Sequence, residues 1–240
     1  MRNLLFLFLI VILAGCSENQ NNKVENIEYN CVLKNDTVNL ELDFRANIEL
    51  PREEFLQDSI VKYVFGEEKF DKPIKRVLKN YAIDWFETLS NNKEYHSIAL
   101  KNTISLNADI TYRDSTYLSY ARSLDCDGDN FLTITTWDYR TSVFDVKTGK
   151  VLTEEDLFGA DYKRKVHRLL VKYATPLRND TILPAEEDDL YSNDQIQPNG
   201  RFILTDSTVM YIFHKYEIAY GVFGNIFIDI PKSEFEIFSK

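Results

Sequence analysis

The sequence predicts an α+β fold, with largely antiparallel sheets built from long hairpins and packed by a few amphipathic helices. Three observations carry this. Val38, Leu40, Leu42, Phe44, Ala46, Ile48 and Leu50 are apolar at every second position without a slip, the period of a strand with one buried face. Ile74, Val77, Leu78, Tyr81, Trp85 and Leu89 recur by threes and fours, the stripe of a helix lying on a core. Period two returns over residues 201–231 with Phe202, Leu204, Val209, Tyr211, Phe213, Ile226, Ile228 and Ile230. Runs of strands separated by runs of helices are the order of an α+β domain rather than of repeated βαβ units.

The chain opens on a leader. Arg2 supplies a positive start, residues 4–13 an apolar run, and Leu13-Ala14-Gly15-Cys16 its end. That run is short of the ~20 residues a membrane span needs and has the build of a secretory signal. Cysteine directly after Leu-Ala-Gly resembles the bacterial lipobox. The resemblance implies removal of residues 1–15, a diacylglycerol thioether on Cys16, and a further fatty acyl chain, palmitate for example, on the new amine. Several acyl chains on one residue anchor a protein to the bilayer where one chain would be marginal. Residues 16–26 are polar at first and aperiodic, and are expected to act as a tether. Ser17 after the cysteine fits sorting to the outer membrane, so the expected location is the cell envelope.

Two α+β halves are expected beyond the tether, 27–125 and 126–240. A strand over 27–33, a turn at Lys34-Asn35-Asp36 and the strand over 38–50 make a hairpin by pattern. Pro51 suits the first turn of a helix, with Glu53 and Glu54 at its favoured acidic end. Phe55, Ile60, Val61 and Val64 mark the face of that helix, and Gly66 its stop. Asp71 is placed to cap the next helix, which Asn91-Asn92 ends. Strands over 98–112 and 116–124 join at Arg113-Asp114-Ser115, and a strand over 131–146 runs into the turn Lys147-Thr148-Gly149-Lys150. Thr153-Glu154-Glu155-Asp156 reads as a helix start, a hydroxyl cap followed by acids that suit the dipole. A helix over 162–174 stops near Pro176. Residues 177–199 read as a long surface excursion, Asp206-Ser207 as a turn, and 233–238 as a short closing helix.

The segment Phe144-Asp145-Val146-Lys147-Thr148-Gly149-Lys150-Val151-Leu152-Thr153-Glu154-Glu155-Asp156-Leu157-Phe158 resembles the strand, turn and helix start of the RsiV-type extracytoplasmic domain. Lys215-Tyr216-Glu217-Ile218-Ala219-Tyr220-Gly221 and then Ile228-Asp229-Ile230-Pro231 resemble, in the same order, the segments that end that domain. The resemblance runs from about residue 143 to 238. It implies an exported, noncatalytic α+β recognition module. The best-understood members bind lysozyme on an anti-sigma factor, others precede deacetylase domains, and many are lipoproteins. Two features depart from the pattern. Asp125-Cys126-Asp127-Gly128-Asp129-Asn130 stands where the family often carries a His-containing loop, and no Pro separates Ala219 from Tyr220.

The formal charge of −10 argues against a nucleic-acid partner and favours a basic protein. His96, His167 and His214 fall in different predicted elements and have no metal-ligand spacing. No nucleophile elbow, phosphate loop or dinucleotide fingerprint occurs. Asp125, Asp127 and Asp129 carry the first three spacings of a calcium loop, but Gly128 and Thr136 depart from its later positions, and a hairpin turn at Asp127-Gly128 fits better. No catalytic residue, metal or cofactor is therefore expected. Glu186-Glu187-Asp188-Asp189 is a solvated acidic run that could also dock a cationic partner. An exported location permits a disulfide between Cys31 and Cys126, with two buried thiols as the alternative. Tyr216, Glu217 and Tyr220 lie where the sheet pattern lapses and are the expected contact residues for a protein or peptidoglycan ligand. The function expected is that of an envelope lipoprotein with a binding module. Its alternatives are a glycan hydrolase or deacetylase accessory, and a structural lipoprotein without a discrete ligand.

Overall fold

The computed structural model describes residues 24–35, 40–66, 73–91, 100–128, 138–179, 193–220 and 223–238. The leader, Cys16, most of the tether, Asp71, His96, Asp129-Asn130 and the run at 186–189 lie outside the described residues. Among the described residues, no helix is long and apolar enough to cross a membrane.

Strands β1 (Val24–Asn35) and β2 (Leu40–Pro51) form the expected antiparallel hairpin, with Ile27 opposite Ile48. Leu42, Phe44, Ala46, Ile48 and Leu50 all point into the first core. Helix α1 (Glu54–Ile60) continues as a π-helical turn (Val61–Phe65), and α2 (Ile74–Asn91) follows. These helices form the crossover to β3 (Leu100–Arg113), which lies parallel to β2. A parallel pair needs such a connection because no tight turn can reverse the chain twice. Strands β4 (Tyr117–Gly128), β5 (Asp138–Asp145) and β6 (Val151–Leu152) complete a six-stranded sheet in sequence order, antiparallel from β3 onward. Helices α3 (Glu154–Phe158) and α4 (Tyr162–Asn179) precede a second, antiparallel sheet of β7 (Phe202–Leu204), β8 (Thr208–Phe213) and β9 (Ile226–Pro231).

Two cores result. Helices α1 and α2 cover one face of the large sheet, with Val77, Leu78, Ala82 and Leu89 buried along the expected stripe. The small sheet covers part of the other face, through β7 on β3, β4 and β5, and α4 packs on β9. Over Leu118–Tyr120, strand β4 is buried on both sides at once. Leu118 and Tyr120 face the helices, and Ser119 faces the small sheet, all three at 0% exposure. Ser119 Oγ accepts hydrogen bonds from the Leu204 amide and from Thr111 Oγ1, both at 2.9 Å. Thr111 is the extra residue of a β-bulge on β3, where the register shifts between Ile110 and Tyr112. Bulges re-aim a side chain in this way.

Several sequence expectations are corrected. Pro51 ends β2 instead of starting α1, and its carbonyl accepts the Gln57 side chain at 2.8 Å. Leu56, Ile60 and Val64 lead the buried ladder of the first helix, while Phe55 is 43% exposed. Phe55 lies over Gly149, where a Cβ would come within 3.1 Å of its ring. Strand β4 does not turn at Asp127-Gly128, because Asp127 pairs with Thr103 and Gly128 with Asn102. The division expected between 125 and 126 therefore falls inside a strand, and the large sheet crosses it. Cys31 and Cys126 are not joined. They sit on β1 and β4 with two strands between, about 14 Å at the usual spacing, well beyond the ~7 Å limit for a disulfide. Helix α4 runs past Pro176 to Asn179, forgoing the hydrogen bond the proline cannot donate.

Replacing Ser119 with Ala leaves the Leu204 amide without its acceptor between the sheets. The expected loss is about 1–3 kcal/mol, read as a lower urea midpoint at unchanged slope.

Candidate functional site

The site begins with a turn that the capping chemistry of the sequence dictates. Asp145 Oδ1 accepts the amides of Lys147 at 3.0 Å and Thr148 at 2.8 Å, and the Thr148 hydroxyl at 2.8 Å. Gly149 takes φ 70°, and a Cβ there would meet Ser59 Oγ at 2.9 Å. The turn needs glycine both for its backbone and for the close approach of α1. Thr153 then caps α3 in a reciprocal box: its hydroxyl accepts from the Asp156 amide, and Asp156 Oδ2 accepts from the Thr153 amide at 2.9 Å. These bonds from Thr153, with Lys150 at 3.1 Å, hold the Asp156 carboxyl down at about 2.

Of the three acids that open α3, Glu154 turns inward and is 7% exposed. Tyr211 on β8 donates its hydroxyl to Glu154 Oε1 at 2.8 Å. Burial first, and the Glu154 charge second, push the Tyr211 phenol far above its ordinary value and raise Tyr162 as well. Thr141, Ser142, Glu154, Tyr162, Gly200 and Phe202 line a cleft of about 440 Å³ here, beside the short β6 strand. Thr141 Oγ1 is buried there with no hydrogen-bond partner among the described residues. A buried carboxylate, hydroxyls and aromatic faces make a lining suited to a polar ligand with hydroxyl groups.

The segment 199–202 joins this cleft to the tyrosines. Asn199 Oδ1 accepts the Arg201 amide at 2.9 Å and its Nδ2 donates to the Ile212 carbonyl at 2.9 Å. Arg201, between the two cleft residues, pairs with both oxygens of Glu217 through Nη2. Glu217 Oε2 also accepts the His214 amide at 2.8 Å. This clasp fixes the turn after β8. Ile218 and Ala219 plug into the second core at 0% and 2% exposure, while Tyr216 and Tyr220 stand out at 64% and 48%. Tyr216 is the one non-glycine residue with positive φ among those described, at 70°. Lys215 Nζ lies 5.2 Å from the centroid of its ring.

The expected trio therefore divides. Tyr216 and Tyr220 are displayed, whereas Glu217 is a positioning residue held by Arg201. Sequence reading missed Arg201 and Asn199 because their partner stands about sixteen positions away, and it missed Glu154 because three consecutive acids read as one solvated helix start. The two described histidines fall in different elements: His167 Nδ1 is 3.0 Å from the Ile196 carbonyl on one side of α4, and His214 follows β8. Among the described residues, no group of three His, Cys, Asp or Glu side chains is placed to hold a metal.

Residues 155–233 match the model of a family described as a protein of unknown function, DUF3298. Two solved structures share the fold. One is a member of that family from Bacteroides fragilis, 19% identical at a TM-score of 0.65, with 88% of this chain and 90% of that one covered. The other is a DUF3298 family protein from Pseudomonas aeruginosa, 12% identical at 0.57, with 88% and 91% covered. No curated protein matches the chain in sequence.

Because Asp156 is held below its unfolded value of about 3.9, its contribution to stability is complete above that pH. It is lost as pH falls toward about 2. Asp156→Asn is expected to be less stable than the parent near neutrality and to converge on it at the acid end. Urea midpoints collected across that range check this.

Proposed function

We propose that this chain is a lipid-anchored protein of the bacterial envelope, held at the outer membrane through Cys16. Its folded part is a noncatalytic binding module for a protein or a cell-wall glycan, with Tyr216 and Tyr220 as the contact residues. The observation that carries the reading is the backbone of Tyr216. A tyrosine at φ 70° and 64% exposed is held against its own preference by the Arg201–Glu217 clasp. Such strain gains nothing for packing when the ring points to solvent, and it is found where a side chain must be presented. Rigid tyrosines lose little entropy on contact and are common interface anchors.

The carboxylates nearest the turn and cleft support a module that grips rather than cuts. Two carboxylates line the cleft, Glu154, held by the Tyr211 hydroxyl, and the exposed Glu155, and both sit in the first turn of α3, on one wall. Asp156 is spent on the helix cap and Glu217 on the clasp. A glycosidase needs two carboxyls facing each other across a cleft and available to a glycosidic oxygen and a water. The motif resemblance to the RsiV-type domain points the same way, toward recognition of a lysozyme-like or wall ligand, and the acidic chain suits a basic partner.

Purified chain is offered lysozymes and peptidoglycan fragments. Capture is expected, and Tyr216→Ala with Tyr220→Ala is expected to weaken it at least about tenfold while leaving the thermal midpoint in place. Equal capture by the double variant sinks the reading, and a parent that retains none of these species while turning none over supports the structural alternative. For the anchor, cells fed labelled palmitate should mark the parent and leave Cys16→Ser unmarked and released from the membrane fraction. Label on the serine variant would overturn the placement.

A further inference from the structure

A second cavity, of about 440 Å³, lies apart from the tyrosine turn and is lined by Phe158, Arg164, Lys165, Arg168, Phe235 and Glu236, among others. Its charge runs against the rest of the molecule. The chain holds 38 acidic residues against 28 basic ones, yet α4 carries Lys163, Arg164, Lys165, Arg168 and Lys172 and has no acid in its first turn. Arg164, Lys165, Arg168 and Lys172 fall on the side of the helix opposite the buried Val166, Leu170 and Ala174.

The helix dipole does not explain Lys163, Arg164 and Lys165, which fall in the first turn. The positive end of the macrodipole disfavours cations in a first turn, and α3, a few residues earlier, opens on Glu154, Glu155 and Asp156 as that rule requires. Lys165 reaches Glu236 at 3.3 Å and Lys172 reaches Glu234 at 2.7 Å. Arg164 and Arg168, one turn apart, make no ion pair among the described residues, and Arg168 Nε reaches only the Arg164 carbonyl at 3.4 Å. Two carboxylates, Asp161 and Glu236, also line the cavity, so its three cations leave a net positive wall. Beside that wall the half-buried Phe158 offers an apolar face, backed by the fully buried Phe235 with ring centroids 4.6 Å apart.

We infer that this cavity binds a ligand bearing a carboxylate or phosphate group on a ring or acyl body, the oxyanion held by Arg164 and Arg168 and the body laid against Phe158. Guanidinium forks match oxyanions in two-point hydrogen bonds, and cations that oppose the helix dipole on their own become favourable once an anion sits between them. The volume lies within the range of small-molecule sites. This site is independent of the tyrosine turn, and its ligand has two sources: an acidic wall sugar and an anionic lipid headgroup.

The full chain in a neutral detergent is titrated calorimetrically with N-acetylmuramic acid against N-acetylglucosamine, and with dihexanoyl phosphatidylglycerol against dihexanoyl phosphatidylcholine. At least one anion is expected to bind and its neutral counterpart not to. Salt is expected to weaken that binding, and Arg164→Gln with Arg168→Gln to weaken it about tenfold or more, with Tyr216→Ala leaving it unchanged. Binding of the acidic sugar alone assigns the wall, and of the anionic lipid alone the headgroup. The inference is overturned if neither anion outbinds its neutral partner, or if the arginine variant binds as the parent does. Should the double variant fail to fold, Arg168→Lys replaces it: a fork is needed for two-point binding, so undiminished affinity there is equally fatal.

Discussion

The structure depends on β4 being buried from both sides. Over Leu118–Tyr120 neighbouring residues face two different cores, and all three side chains are closed off from water. Leu118 meets this with an apolar side chain, and Tyr120 by donating its hydroxyl to the Glu49 carbonyl at 2.8 Å. The third faces a second sheet whose first strand brings a backbone amide, and a buried amide without an acceptor is costly. Ser119 supplies that acceptor, and the bulge at Thr111 supplies its neighbour. The small sheet is thereby seated at one place on the large one.

The long-range part of the candidate site follows from that seating. With β7 fixed over β3, β4 and β5, the segment before it runs beside β5 and the start of α3. Gly200 and Phe202 then line the cleft, and Arg201 between them is turned toward Glu217. The tyrosine turn is an extension of the small sheet and inherits its position. The clasp is a partly exposed ion pair, which in isolation contributes little to stability. Its importance lies in fixing a strained backbone that the local sequence would not choose.

Charge is distributed unevenly over this frame. Acids cap turns and helix starts, at Asp145, Asp156 and, turned inward, Glu154. Bases gather on α4, three of them, Lys163, Arg164 and Lys165, in its first turn, where they gain nothing from the dipole. An acidic protein with one basic cavity presents different chemistry on two sides: tyrosines and hydroxyls about the first cleft, guanidinium groups at the second.

The sequence by itself determined the periods and the punctuation. The hairpin of β1 and β2, the stripe of α2, the Thr153 cap, the Gly66 and Gly149 stops and the turn at Asp206-Ser207 are all local, because alternation, caps and glycines act within a few residues. Where competing local cues existed, the reading slipped: Pro51 as a helix opener, Phe55 for Leu56, a turn at Asp127-Gly128. The display of Tyr216 and Tyr220 was legible only as a lapse in the sheet pattern. The tertiary structure alone decided the parallel pairing of β2 with β3, the distance between Cys31 and Cys126, the Arg201–Glu217 clasp and the burial of Glu154. Each of these joins groups far apart in the chain, or chooses among chemically equal neighbours, and no short-range rule can weigh partners that only the packed sheets bring together.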